Sequence, residues 1–194
     1  MHANEDPITR FTEEFERART SERFDASRCA LATASREGVP SVRFILLKSV
    51  DARGFVFFTN LHSQKARELG ENPHAALAFH WESTGVQVRV EGETQLLDDA
   101  ASDAYFDTRA LDSRLGAWAS KQSQPLASRA ALVARVAKVA ARFAGRHVDR
   151  PPFWGGYLLV PRRIEFWHDG VARLHDRFSY ERQGDTWTVT RLYP

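Results

Sequence analysis

The stretch CALATASREGVPSVRFILLKSVDARGFVFFT, running from Cys29 to Thr59, decides the fold class. Cys29 to Ala34 is short and apolar, and Glu37-Gly38 is a turn. Ser41 to Val50 reads as a second strand, Asp51 to Gly54 as another turn, and Phe55 to Thr59 as a third strand. Parallel neighbours need a crossover of about a dozen residues or more, and these connections are far shorter, so the strands must be antiparallel.

Working outward, Ser63 reads as the N-cap of a helix through about Leu69. Ala75 to Trp81 and Val86 to Leu97 are two more strands around the turn Glu82 to Gly85. Asp98 caps a helix that carries Tyr105 and Arg109, a second helical stretch surrounds Trp118, and Leu126 to Phe143 is a long amphipathic helix. Pro151-Pro152 ends the helical region. Closing strands follow at Gly156 to Val160, Ile164 to Trp167, Arg173 to Tyr180 and Trp187 to Leu192. Toward the N-terminus, Asp6-Pro7 opens a helix whose apolar face is Ile8, Phe11, Phe15 and Ala18. The expectation is one domain over 1–194, mostly β with peripheral helices: a closed antiparallel barrel, an N-terminal helix within 1–20, a helical insertion at 98–145 and C-terminal strands at 154–194.

With 43% hydrophobic and 27% charged residues, the chain of 194 is neither disordered nor fibrous. A net charge of +2 argues against a nucleic-acid partner. Arg outnumbers Lys 23 to four, so Lys48, Lys65, Lys121 and Lys138 mark positions that ask for a compact ammonium. The lone Cys29 sits in an apolar strand and excludes an internal disulfide or a multi-thiolate zinc site. Met1 to Asp6 is polar and acidic, not a signal peptide, and no apolar run approaches the ~20 residues of a membrane span. A cytoplasmic protein without a membrane partner is expected. No Gly-x-Gly, Gly-x-Ser-x-Gly or His-Glu-x-x-His occurs, so no dinucleotide fingerprint, phosphate loop, hydrolase elbow or metal site is expected.

Cationic and hydroxyl groups recur where apolar residues would be simpler. Arg43 and Lys48 bracket an apolar strand, on opposite faces if alternation is strict. Thr59 to Lys65 joins a strand end to a helix start, where free N–H groups, hydroxyls and Lys65 could hold a phosphate; a plain capped helix is an equal reading. Tyr105 and Arg109 share a helix face, which Ser113 continues if the helix persists; a plain surface face is the simpler account. In an extended strand Arg173, His175 and Arg177 would share one face, where they repel unless an anion sits among them. In Val86–Glu91 the valines point inward, and Gln87 could offer a donor and an acceptor to a heteroaromatic edge.

Taken in order, Arg43–Lys48, Phe55–Pro73, Gln87–Gly92, Tyr105–Arg109, Gly116–Ser123, Trp154–Gly156, Ile164–Trp167 and Arg173–Arg177 (RLHDR) resemble the pyridoxine/pyridoxamine 5′-phosphate oxidase family. The resemblance implies an FMN-binding split β-barrel and a homodimer with FMN at the interface. It implies that Arg43, Phe44, Ile45, Leu46, Leu47, Lys48, Phe58, Thr59, Gln64 and Lys65 hold or flank FMN. Gln87, Gln122, Ser123, Trp167 and Arg177 would complete that site, some from the second chain. Lys48, Tyr105, Arg109 and Ser113 would grip the substrate phosphate, with Arg173 and His175 over the substrate ring as the catalytic pair. The implied reaction oxidises pyridoxamine or pyridoxine 5′-phosphate to pyridoxal 5′-phosphate, with oxygen as acceptor and hydrogen peroxide released. A same-fold oxidase of phenazine precursors and a non-catalytic flavin- or vitamer-binding protein are the alternatives. Phe58 stands where Tyr is common in the family, Gln64 where Arg is, Val86 where Arg precedes the strand glutamine, and Ala110 where Pro is usual. No Arg-Arg-x-Tyr arm precedes the first helix.

Overall fold

The computed structural model describes residues 6–194; the reading of Met1 to Glu5 lies outside the described residues. Helix α1 (Pro7–Ser21) starts as the sequence dictates: Pro7 needs no N–H partner, and the Asp6 carboxylate accepts from the Thr9 N–H at 2.9 Å. Its Phe11 is fully buried, with ring centroids 4.8 Å from Phe55 and 5.0 Å from Phe79. Arg10 on the same helix is also buried. It donates to the Tyr180 hydroxyl at 3.0 Å and lies 4.4 Å from the Phe166 ring centre, which docks α1 on the C-terminal strands.

The described residues form nine strands in one antiparallel sheet: β1 Arg28–Ala34, β2 Pro40–Leu46, β3 Ser49–Asp51, β4 Gly54–Asn60, β5 His74–Trp81, β6 Val86–Leu96, β7 Trp154–His168, β8 Asp176–Gln183 and β9 Thr186–Leu192. The main path runs β2-β1-β5-β6-β7-β4-β3, with β8 and β9 added beyond β7. Its two ends, β2 and β3, are separated by only Leu47 and Lys48, so the sheet must curl until its edges meet in one bent segment. That is a split barrel, and Leu31, Phe57, Leu77, Val88, Val90 and Leu159 fill it.

The bend corrects the expected strand Ser41–Val50. Leu47 N–H donates to Ser27 beside β1, whereas Lys48 N–H donates to Val56 on β4, each at 2.8 Å. One straight strand cannot reach neighbours on opposite edges of the curl, so the chain breaks there and Leu47 is buried at the corner. The strands expected at 156–160 and 164–167 are one continuous β7. Pro161 sits inside it at the bulge opposite Gly92, where the ladder does not need its missing N–H. A Cβ on Gly92 would lie 2.0 Å from the Val160 oxygen, so the bulge requires glycine there.

Helix α2 (Gln64–Glu71) is capped by Ser63. Helix α3 (Asp99–Asp107), capped by Asp98, ends earlier than expected: a turn over Thr108–Ala110 separates it from α4 (Leu111–Ala119). Helix α5 spans Arg129–Arg142 with Ser128 as its cap, so it begins three positions after Leu126. The largest departure is at 170–175. This segment is a turn with a short 3-10 stretch at Val171–Arg173, and β8 starts only at Asp176. Ala172 and Arg173 have φ of 57° and 63°, incompatible with the extended strand that alternation suggested.

Candidate active site

A cavity of about 690 Å³ opens between the β2–β3 corner, β4, α3, α4 and the first residue of β7. That is the size of a cofactor or small-ligand pocket. Phe44, Ile45, Leu46, Lys48, Phe58, Thr59, Lys65, Tyr105, Arg109, Ser113 and Gln122 all line it. The β2–β3 corner brings Lys48 into the cavity despite the strict alternation that would oppose it to Arg43.

At one end, Lys65 Nζ lies 3.2 Å from both Thr59 Oγ1 and Gln122 Oε1. Lys65 is buried, and burial, reinforced by the Arg43 charge against the pull of Glu68, pushes its ammonium down from 10.5 to about 8. Its hydrogen-bond partners among the described residues are neutral oxygens. Ser123 sits beside Gln122 at φ 67°, and its hydroxyl accepts from the Gln64 N–H at the start of α2 at 3.1 Å. The start of α2 is thereby brought together with the distant Gln122-Ser123 pair.

Arg43 and Gln64 do not line the cavity; both are held by Glu68. Gln64 Nε2 donates to Glu68 Oε1 at 2.8 Å, while Arg43 Nη2 lies 3.3 Å from Oε2, which also accepts from Thr33 and Ser41. Burial would raise the Glu68 carboxyl, but the Ser41 and Thr33 hydroxyls, the Gln64 amide and the Arg43 charge outweigh it and hold it at about 2. Glu68 was not among the expected site residues. Its signal was present: on a helix it falls four positions after Gln64 and three after Lys65, hence on their face.

The opposite wall carries Tyr105, Arg109 and Ser113. They meet in the cavity because the turn after α3 redirects the chain, not because they continue one helix face. Phe58, Tyr105 and Trp154 form a near-parallel stack, with Phe58 centroids 4.1 Å from Tyr105 and 5.1 Å from Trp154. Gly156 makes room for it: a Cβ there would lie 2.6 Å from the Phe58 ring. The Arg109 guanidinium faces the Trp154 ring at 4.8 Å, and its buried Nη1 has no hydrogen-bond partner among the described residues.

Gln87, Trp167 and Arg177 form a second group. They pair in register across β6, β7 and β8 and share one sheet face, but none lines the cavity. Arg177 donates through Nε and Nη2 to Glu165 at 3.0 and 2.7 Å. Glu165, 3% exposed, also receives Arg89 at 3.4 Å and Arg163 at 3.3 Å. His175 packs on Trp167 with ring centroids 4.5 Å apart, and the Gly170 N–H points at its Nδ1 at 3.2 Å. Arg173, His175 and Arg177 therefore do not make the single cationic strand face expected: Arg177 is neutralised by Glu165, and Arg173 sits in the turn. Within one chain the cavity and this C-terminal group are separate.

Comparison with known proteins bears on both groups. Residues 12–143 match the family model described as pyridoxamine 5′-phosphate oxidase. Residues 154–194 match the pyridoxine 5′-phosphate oxidase C-terminal dimerisation region. A protein of Anaeromyxobacter dehalogenans (strain 2CP-C) named pyridoxine/pyridoxamine 5′-phosphate oxidase is 57% identical over 97% of this chain and 96% of its own length. One of the same name from Rhodospirillum rubrum is 54% identical, over 97% of this chain and 96% of its own. The crystal structure of PhzG from Burkholderia lata 383, in complex with tetrahydrophenazine-1-carboxylic acid, matches with a TM-score of 0.92 at 35% identity, covering 100% of this chain and 94% of that one. A pyridoxamine 5′-phosphate oxidase-related, FMN-binding protein of Nostoc punctiforme PCC 73102 shares the fold, with a TM-score of 0.76 at 19% identity and 96% of each chain covered.

Proposed function

The chain belongs to the pyridoxamine 5′-phosphate oxidase family, and from that premise we propose that it oxidises pyridoxamine or pyridoxine 5′-phosphate to pyridoxal 5′-phosphate, with FMN as its flavin. The observation that carries this reading is a cavity lined by Lys48, Lys65 and Arg109, in which Lys65 on α2 and Arg109 in the turn after α3 are cationic anchors on different elements. Among the described residues Lys65 donates only to neutral oxygens, and Arg109 has a buried donor unused. Two anchors suit two phosphates, one on the cofactor and one on the substrate.

The residues fit the cofactor. Thr59, Lys65, Gln122 and Ser123 surround the start of α2, where N–H groups and a cation favour a phosphate. Arg43 and Gln64, held by Glu68, support that end from behind. Phe44, Ile45, Leu46 and Phe58 give an apolar wall for a flat ring. Bound there, FMN would supply a two-electron acceptor for the hydride of the substrate's 4′ carbon, with oxygen as the final acceptor and hydrogen peroxide as its product. The chain's own part is to orient. Lys48, Tyr105, Arg109 and Ser113 grip the remote phosphate, and that fixes the reacting carbon. Arg173 cannot act as a base at neutral pH; it positions the ring and stabilises charge.

Arg173 and His175 lie outside the cavity of their own chain, beside Val171 and Leu174, which are 92% and 74% exposed. We assign them to the cavity of a second copy, in a homodimer with FMN at the interface. The dimerisation region that includes this turn supports the assignment. The outer face of β2, with Val42 and Phe44 exposed beside the alanines of β1 and β5, offers an apolar surface for that copy. No helix among the described residues is long and apolar enough to cross a membrane. The cytoplasm is the compartment that goes with this reading, in keeping with the buried free thiol of Cys29.

The test is aerobic turnover of FMN-loaded protein with each phosphorylated vitamer. Aldehyde and peroxide should form in equal amounts. A yellow protein that turns over neither vitamer overturns the substrate assignment, and oxidation of a reduced phenazine carboxylate by that same protein would replace it.

A further inference from the structure

We propose that Trp154 is a positioning residue for substrate binding: its indole face holds the Arg109 guanidinium in place of a carboxylate and so leaves the guanidinium donors free for the substrate phosphate. The inference rests on the reading of Arg109 as a phosphate ligand.

Several other arginines of the chain are held by acids. Arg89, Arg163 and Arg177 share Glu165, Arg43 uses Glu68, and Arg150 uses Asp99 and Asp103. Each such ion pair occupies donors and offsets charge. Arg109 is fixed differently. Its guanidinium carbon lies 4.8 Å from the Trp154 ring centre and 5.4 Å from that of Phe106, and no carboxylate is paired with it among the described residues. An aromatic face attracts a cation within about 6 Å without taking an N–H. The outcome is a partly buried guanidinium, held in place, with Nη1 unused.

Trp154 is itself rigid. It is 7% exposed, opens β7 and pairs in register with Asn60 of β4. Its carbonyl accepts from Arg150 Nη1 at 2.6 Å, and the same guanidinium reaches Asp99 at 2.6 Å and Asp103 at 2.5 Å on α3. One arginine thus ties the backbone of Trp154 to the helix that leads to Arg109. Through Phe58, the indole also stacks on Tyr105, the second group on that wall.

The experiment compares Trp154→Leu, Trp154→Phe and Arg109→Ala in the FMN-loaded protein. It reads KM and kcat for pyridoxamine 5′-phosphate and the inhibition constant of inorganic phosphate. Trp154→Leu should raise KM and the phosphate constant together by roughly tenfold, with kcat moving far less, and Trp154→Phe should restore most of the loss. A merely structural tryptophan would lower FMN content and kcat without weakening phosphate. If Arg109→Ala weakens phosphate and Trp154→Leu does not, the inference is wrong. If Arg109→Ala itself leaves both constants unchanged, the phosphate reading fails and the inference falls with it. Should Trp154→Leu not fold, fluorinated tryptophans at position 154 decide the matter, because they keep the shape and weaken the π face. A KM that rises with each fluorine supports the inference, and a flat series overturns it.

Discussion

Lys65 concentrates the electrostatics of the α2 end of the cavity in one side chain. Its ammonium is held at about 8 against an ordinary 10.5, chiefly by burial. A base with a depressed folded pKa adds stability that is present above its unfolded pKa and lost as pH falls through the folded one. At neutral pH the buried ammonium is therefore a cost to the empty fold, and a phosphate beside it offsets that cost. Binding must raise the Lys65 pKa, so FMN affinity should fall as pH climbs beyond about 8. Lys65→Met should weaken FMN at pH 7 and flatten the decline; titration by flavin fluorescence between pH 7 and 9.5 measures both, and an undiminished slope in the variant would assign the titration elsewhere. Arg173 makes a second residue-scale case. A non-glycine residue at φ 63° carries backbone strain of about 1 kcal/mol or more, a cost usually met at functional turns. Arg173→Ala should keep its FMN and lose turnover by at least a hundredfold, as expected when a transition-state contact of ~3 kcal/mol is removed. Normal turnover in that variant would refute its role.

At the scale of elements, the sequence was most legible where local chemistry alone decides. The caps Asp6, Ser63 and Asp98 mark their helices, and the short turns dictate antiparallel pairing. It was least legible where tertiary closure overrides local pattern. Nothing in Arg43–Lys48 says that Leu47 and Lys48 must serve different neighbours; only the curl of the whole sheet does. Alternation in RLHDR suggested a strand, but the chain must leave β7 and reverse into β8, and that reversal consumes the segment 170–175. The cations were readable as residue types; of the acids that hold Arg43 and Arg177 outside the cavity, Glu68 was signalled by its helix spacing from Gln64 and Lys65, whereas Glu165 acquires its role only from packing across the sheet. Glu165 shows what such a holder is worth. It is the one carboxylate on β7 that faces Arg89, Arg163 and Arg177 together. Glu165→Gln keeps the shape and removes the charge; Arg89 keeps Glu91 at 2.5 Å, but Arg163 and Arg177 lose their carboxylate on the same sheet face. Denaturant unfolding should show a loss of about 1 to 2 kcal/mol, less than for a fully buried pair because the arginines left behind keep part of their surface in water. Flavin content should fall with it, because Arg177 is released; a change below 0.5 kcal/mol, within the range of ordinary surface substitutions, would mean the arginines are held by other means.

For the whole molecule, the decisive fact is that the cavity and the turn carrying Arg173 and His175 do not meet within one chain. In the two-fold dimer proposed above, each copy presents its turn to the other's cavity. The arrangement has a consequence that no single-chain site would share. Consider Arg109→Ala, which damages the cavity, and Arg173→Ala, which damages the turn. Each variant alone has every site impaired at low substrate. In a mixed dimer, one site joins both damaged parts and the other joins both intact ones. If the chains are unfolded, mixed in equal amounts and refolded with FMN, half of the dimers should be mixed, each with one working site in two. Activity at low substrate should therefore recover to about a quarter of the unaltered level, by the statistics of a symmetric dimer. Were the turn to fold back onto its own cavity, every site in the mixture would still carry one lesion, and mixing would restore nothing. The recovered fraction thus reports directly whether catalysis belongs to the chain or to the pair.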